Sequence, residues 1–237
     1  MTDVIRDNID YAAIARTLSS LLDLEGSPVA IKLAKSEDDI PDGVPPAEEA
    51  ARHCFMVNRA RKGGAIFYAT VDKHQCMGGA WALGLRELTP SLQSGEFYYK
   101  LGKFNSWAAC RRTIQRVPHV EQGDTYATLY APLEKTPFDP HVVLIVTEPR
   151  AMLKLAQAGL YRLGGRIESS MAGIQSVCAD ATALPYTTGR ANYSLGCDGS
   201  RKFSGIADGE MVMGFPAELL PEIAAALPVV TGAPGSV

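Results

Sequence analysis

The chain of 237 residues carries the same short motifs twice in the same order, and that repeat constrains the fold more than any composition figure. The first run is Pro28-Val-Ala-Ile-Lys-Leu, a helical stretch to Arg61, Gly63-Gly64, Cys76 and Ala82-Leu83. The second is His141-Val-Val-Leu-Ile-Val, a helical stretch to Leu163, Gly164-Gly165, Cys178 and Ala183-Leu184. Gly95-Glu-Phe-Tyr-Tyr-Lys-Leu-Gly102 and Gly189-Arg-Ala-Asn-Tyr-Ser-Leu-Gly196 then share Gly-x3-Tyr-x-Leu-Gly. Gly123-Asp-Thr-Tyr-Ala-Thr-Leu-Tyr-Ala-Pro132 loosely matches Gly209-Glu-Met-Val-Met-Gly-Phe-Pro216. One such match is ordinary; four in one order imply an internal duplication. The expected fold is α/β (α+β), a pseudo-twofold arrangement of strand-helix-strand modules. Its halves, about 24–135 and 136–226, share one core in a single globular unit, since no flexible linker divides them.

Periodicity predicts an amphipathic helix over Asn8–Leu22, with Ile9, Ala13, Leu18, Leu21 and Leu22 near one stripe. A strand over Val29–Leu33 follows, then a charged, proline-punctuated loop. A helix over Ala47–Lys62 is expected to stop at Gly63-Gly64, and a strand to run over Ala65–Val71. A short helix opens at Cys76 and extends through Arg86. In the second half, a strand over Val142–Val146 leads to a helix with Pro149 in its first turn and an apolar face reaching Leu163. Residues 227–237, which end in Thr-Gly-Ala-Pro-Gly-Ser-Val, read as a mobile tail.

Charge narrows the partners. The net charge is −3, and splitting the chain after Val120 gives 15 basic against 14 acidic residues, then 8 against 12. Neither half can track a phosphate backbone, so nucleic acid is not an expected partner. No 18-residue apolar run exists and the first residues lack the pattern of a signal peptide. A cytoplasmic protein with no membrane partner is expected, a homodimer being the ordinary assembly for such a chain. In that compartment the five cysteines stay reduced, and their odd number also argues against a disulfide framework.

The cysteines are therefore read one at a time. Cys76 and Cys178 each fall at the start of a short helix, where backbone N–H groups favour a thiolate; packing at equivalent core positions explains them equally well. Cys54 sits among Ala50, Ala51, Phe55 and Val57, as a core residue would, and Cys110 reads as structural. Cys197 lies in Leu195-Gly-Cys-Asp-Gly-Ser-Arg-Lys202, a loop whose glycines let the backbone approach a ligand. There Gly199, Arg201 and Lys202 form a candidate anion nest. No close Cys-x2-Cys pair, dinucleotide fingerprint, phosphate-binding loop or serine elbow is present.

These segments also resemble a known family, the prokaryotic one numbered 169 in the domains-of-unknown-function series, frequent in archaea and anaerobic bacteria. The resemblance runs from Val29 to Pro216. It rests on Pro28-Val-Ala-Ile-Lys-Leu, Cys54 followed by Ala60-Arg61-x-Gly63, Cys76-x-Gly-Gly, Ala131-Pro-Leu-Glu134, Cys178-Ala-Asp180 and Leu195-Gly-Cys-x-Gly-Ser-Arg-Lys202. It implies that Cys54, Cys76, Cys178 and Cys197 belong to the family pattern and that Cys110 does not. It brings no activity with it, so function must be argued from the site.

The leading expectation is a metal centre held by Cys54, Cys76, Cys178 and Cys197, with an iron–sulfur cluster the first choice because thiolates are its ligands. Its chemistry would be redox or Lewis-acid work on a small anionic metabolite, with Gly199, Arg201 and Lys202 binding the anion. Three alternatives stay open. One is a metal-free thiol enzyme using Cys197 or Cys76. Another is an anion or tetrapyrrole binder with its pocket between the halves and a cysteine or His74 as axial ligand. The third is a structural or interaction protein whose cysteines merely pack.

Overall fold

The computed structural model describes residues 9–232. A six-stranded sheet forms its middle: β1 (Val29–Ala34), β2 (Phe67–Thr70), β3 (Ala127–Pro132), β4 (Val142–Thr147), β5 (Asn192–Ser194) and β6 (Met211–Pro216). The order across the sheet is β2-β3-β1-β4-β6-β5, and every paired neighbour is antiparallel. The central strands β1 and β4 are mainly apolar. Helices cover both faces of the sheet, which is why β4 is buried at all six positions rather than at alternate ones.

Ten α-helices accompany the sheet among the described residues. In chain order they are α1 (Tyr11–Leu22), α2 (His53–Gly63), α3 (Met77–Ala82), α4 (Pro90–Gln93), α5 (Glu96–Lys100), α6 (Trp107–Ile114), α7 (Pro149–Leu160), α8 (Leu184–Thr188), α9 (Asp198–Ser204) and α10 (Leu220–Thr231). A π-helix, Ser176–Ala183, runs directly into α8. None of these helices is long and apolar enough to cross a membrane.

Strand alternation sorts the core into two layers. One face of the sheet presents Ala30, Leu129, Val143, Ile145, Met213 and Phe215 to α1, α7 and α10. The other presents Val29, Ile31, Tyr130, Val142, Leu144 and Val212 to α2 and the π-helix. On α1 the buried stripe is Ala15, Leu18 and Leu22, and Asp10 caps the helix by accepting from the Ala13 N–H at 2.8 Å. Asn8, with which that helix was expected to begin, lies outside the described residues.

Several expectations are corrected. The helix expected from Ala47 starts at His53, because residues 46–51 spend their backbone groups on the β2 edge. Ala47 N–H donates to Tyr68 O and Gln75 N–H to Ala51 O, and isolated bridges join Pro46 to Tyr68 and Ala51 to His74. Residues 227–231 are not a tail but the last turns of α10, with Leu227 fully buried; 233–237 lie outside the described residues. The motif alignment does not carry into space either. The helix after β1 (α2) and the helix after β4 (α7) lie on opposite faces of the sheet. Gly95–Gly102 contains α5, whereas the matching string Gly189–Gly196 contains β5. The last motif does correspond: β3 and β6 both end in proline and pass into a 3-10 turn, Leu133–Lys135 and Ala217–Leu219.

Candidate functional site

Four of the five cysteines line one cavity of about 540 Å³ beneath the π-helix face of the sheet. Each arrives from a different element. Cys54 lies in the first turn of α2, Cys76 precedes α3, Cys178 lies in the first turn of the π-helix, and Cys197 precedes α9. Cys110 is fully buried on α6 and does not reach the cavity.

The thiols form two neighbouring groups. A Cβ placed on Gly79 would sit 3.5 Å from Cys76 Sγ and 3.6 Å from Cys178 Sγ, so these sulfurs flank that glycine. Cys54 rides on α2, which packs on α9, the helix that Cys197 precedes; a Cβ on Gly199 would lie 3.6 Å from Cys197 Sγ. Electrostatics couple all four. Burial pushes the Cys54 thiol up to about 11, with Cys197 and Cys76 adding to the rise and the Ser204 hydroxyl opposing it. Cys178 is pushed well above the ordinary thiol value, by burial first and then by Cys76, Cys197 and Cys54. The Tyr98 hydroxyl beside them is raised by burial and by Cys178, Cys76 and Cys197. As thiolates these groups would repel one another across an apolar space. A cation placed among them would turn that repulsion into affinity.

Among the described residues, no histidine is hydrogen-bonded to a cysteine. His53 lines the cavity, yet both its ring nitrogens are taken, by Tyr130 Oη at 2.8 Å and Thr182 Oγ1 at 3.0 Å. His74 binds Thr128 Oγ1 at 2.9 Å and does not line the cavity. One donor sequence satisfies every member of this chain. His74 donates to Thr128, Thr128 to Tyr130 and Tyr130 to His53; His53 then donates to Thr182, which donates to Val177 O in the π-helix. That sequence requires His53, which accepts at one ring nitrogen and donates at the other, to be neutral. Burial favours the neutral form of both imidazoles, lowering His53 to about 3 and His74 to about 4.

The π-helix itself is buried at all eight positions and held against β6 at Gly214, where an added Cβ would come 1.8 Å from Ala181 O. Asp180, behind Cys178, has its carboxyl raised to about 7 by burial while the Ser194 and Ser176 hydroxyls oppose that rise. Such π-helical stretches place side chains that an α-helix would turn away from the cavity.

Of the residues expected to bind an anion, Gly199 and Lys202 line the cavity. Arg201 does not. Its guanidinium donates to Leu195 O, Ala207 O and, at 2.6 Å, Glu210 O, so it clamps its own loop. The cations that do reach the cavity with Lys202 are Lys103, paired with Asp198, and Arg52, stacked 4.1 Å over the Phe203 ring. Arg52, Gln175, Tyr98 and Phe203 were not singled out from sequence, since nothing local marks them. Among the described residues, no three His, Cys, Asp or Glu side chains are gathered tightly enough to hold a single metal ion.

Residues 17–226 match the family described as uncharacterised ArCR, domain of unknown function 169. The chain belongs to this family. An uncharacterized protein of Methanocaldococcus jannaschii is 45% identical over 214 residues, which is 90% of this chain and 91% of the relative. The family match begins within α1 and ends within α10, so it takes in the sheet, the π-helix and all four cavity cysteines. No solved structure matches the chain.

Proposed function

We propose that Cys54, Cys76, Cys178 and Cys197 are the ligands of an iron–sulfur centre seated in the cavity, serving redox or Lewis-acid chemistry on a small anionic metabolite. The observation that carries this reading is that four thiols from four elements line one largely apolar cavity, where His53 has both ring nitrogens already bonded. A lone ion needs its donors close around one point, whereas a cluster puts iron and sulfide between them and takes a wider set. Lys202 and Arg52 at the cavity give the anion its countercharge. A metal-free thiol enzyme has less support, because among the described residues no histidine is hydrogen-bonded to a cysteine. A tetrapyrrole has less as well, because His74 is turned to Thr128.

We further infer an internal duplication, in a register other than the one the motifs suggest. The sheet order reads the same from either edge when β1, β2 and β3 are exchanged for β4, β5 and β6. The edge registers agree: Val29 pairs with Pro132 as Val142 pairs with Pro216. Gly64 and Gly189 are both left-handed helix caps just ahead of β2 and β5. In this register α2 answers to the π-helix and α8, Cys54 to Cys178, and Cys76 to Cys197, while α7 is an addition. The four thiols then form two pairs about one pseudo-twofold axis, an arrangement suited to a symmetric centre.

The test is purification without oxygen followed by measurement of iron, acid-labile sulfide and the visible spectrum. The expected result is a brown protein with iron and sulfide in near-equal amounts, lost when Cys76 or Cys178 becomes serine. A colourless protein that takes up no iron on anaerobic reconstitution overturns the proposal.

A further inference from the structure

The cavity holds one polar side chain that the cysteines do not explain. Gln175 is 3% exposed, lines the cavity, and has no hydrogen-bond partner of good geometry for either its amide oxygen or its amide nitrogen. The Tyr98 hydroxyl comes near enough to feel a loose hydrogen bond from Gln175, which still falls short of a bond of good geometry. Its backbone is left-handed, φ 52°, one of only two such non-glycine residues among those described. Gly78 leaves room for it: a Cβ there would meet Gln175 Nε2 at 2.3 Å. Leaving a buried polar atom unpaired is costly, so a glutamine held this way with neither amide atom fully bonded is built to be completed by something else.

The shape of the cavity says what completes it. The cavity walls include Ile174, Tyr98, Phe97 and Leu101, which suit an apolar or aromatic body, while Arg52 and Lys202 supply positive charge. A primary amide offers one donor and one acceptor side by side. A carboxylate supplies acceptors only and would leave Gln175 Oε1 unpaired. A carboxamide or lactam edge satisfies both atoms at once.

We propose that Gln175 recognises a carboxamide or lactam edge on the ligand of this cavity, whose anionic end faces Arg52 and Lys202. This rests on reading the cavity as a ligand site and requires no iron. The probe is 3-carbamoylbenzoate, with benzene-1,3-dicarboxylate as its all-carboxylate counterpart, each titrated calorimetrically into anaerobically prepared protein whose iron content is measured on the same sample. The protein is expected to bind the monoamide about tenfold more tightly than the dicarboxylate, the factor one well-placed hydrogen bond gives. Gln175→Asn, which tolerates the left-handed backbone, and Gln175→Leu are both expected to abolish that preference, the monoamide losing more affinity than the dicarboxylate. Equal affinity for the two probes, no binding of the monoamide, or a preference that survives in both variants overturns the proposal. Failure of the iron–sulfur reading shows separately, as iron-free protein whose amide preference persists.

Discussion

The two faces of the sheet are made for different ends. The face under α1, α7 and α10 is closed by alanine, valine, leucine, isoleucine, methionine and phenylalanine. The face under α2 and the π-helix buries His53, His74, Thr128, Thr182, Gln175 and Asp180 and still leaves a cavity of about 540 Å³. Stability is concentrated on the first face, and the second gives up packing to hold polar groups in fixed positions. If that division is real, changes on one face should cost stability and spare the site, and changes on the other should do the reverse.

The largest expected effect breaks the packed face. Phe215 is fully buried there, and Phe215→Ala should lower unfolding free energy by about 3–5 kcal/mol in a urea titration. Iron bound per folded molecule should not change. A variant that folds well but loses iron would show that the faces are not independent.

Next in size is the ion pair that anchors α2, the helix carrying Cys54. Arg61 Nη2 donates to Glu210 Oε1, with both side chains almost wholly buried. Arg61→Leu leaves a carboxylate without its partner and should cost about 3 kcal/mol. Burial pushes the Glu210 carboxyl up, but the Arg61 guanidinium and the Ala207 N–H outweigh it and hold the group below its ordinary value. A carboxyl with a lower pKa folded than unfolded stabilises fully above the unfolded value and loses that contribution as pH falls through the folded one. Acid titration of stability should therefore be steeper below about pH 4.5 in the wild type than in Arg61→Leu. Equal slopes would remove the pair from the account.

How far each face was legible follows from the same contrast. The packed face is written in local periodicity: the stripe on α1, the apolar run of β4 and Pro149 at the start of α7 all state their structure within a few residues. The site face is assembled at long range. Cys54, Cys76, Cys178 and Cys197 were singled out by residue type and family resemblance, but nothing near Cys178 announces a π-helix, and nothing near Gln175 announces a left-handed backbone. Both depend on Gly214 and Gly78 making room from distant segments. Arg201 misled for a related reason. Its charge is visible in the sequence, while the three carbonyl groups that occupy it come together only in the folded loop. The repeated Gly-x3-Tyr-x-Leu-Gly string failed because glycines at both ends specify turns, not what lies between them.

A smaller change tests the site face from the sheet side. Gly214→Ala puts a methyl group against the Ala181 carbonyl, and backbone has to move to admit it. The expected cost is about 1–3 kcal/mol, an ordinary overpacking penalty. The informative readout is iron content, which should fall even in the folded fraction because the displaced π-helix carries Cys178. Retained iron would mean that the π-helix position is not what sets the thiol geometry.

The smallest expected effect separates the fifth cysteine from the other four. Cys110 is as buried as any of them, but it faces Gly95 and the backbone of α5, where burial raises its thiol against opposing hydrogen bonds from Tyr98 and Tyr99. It is too far from the cavity to line it. Cys110→Ala removes one sulfur from a packed site and should cost about 1 kcal/mol, with iron, sulfide and spectrum unchanged. Cys54→Ala removes the same atom from an equally helical setting, but there the loss should register in the spectrum and hardly at all in the metal-free stability. Matching outcomes for the two variants would mean that helix burial, not the cavity, decides what a cysteine does in this fold.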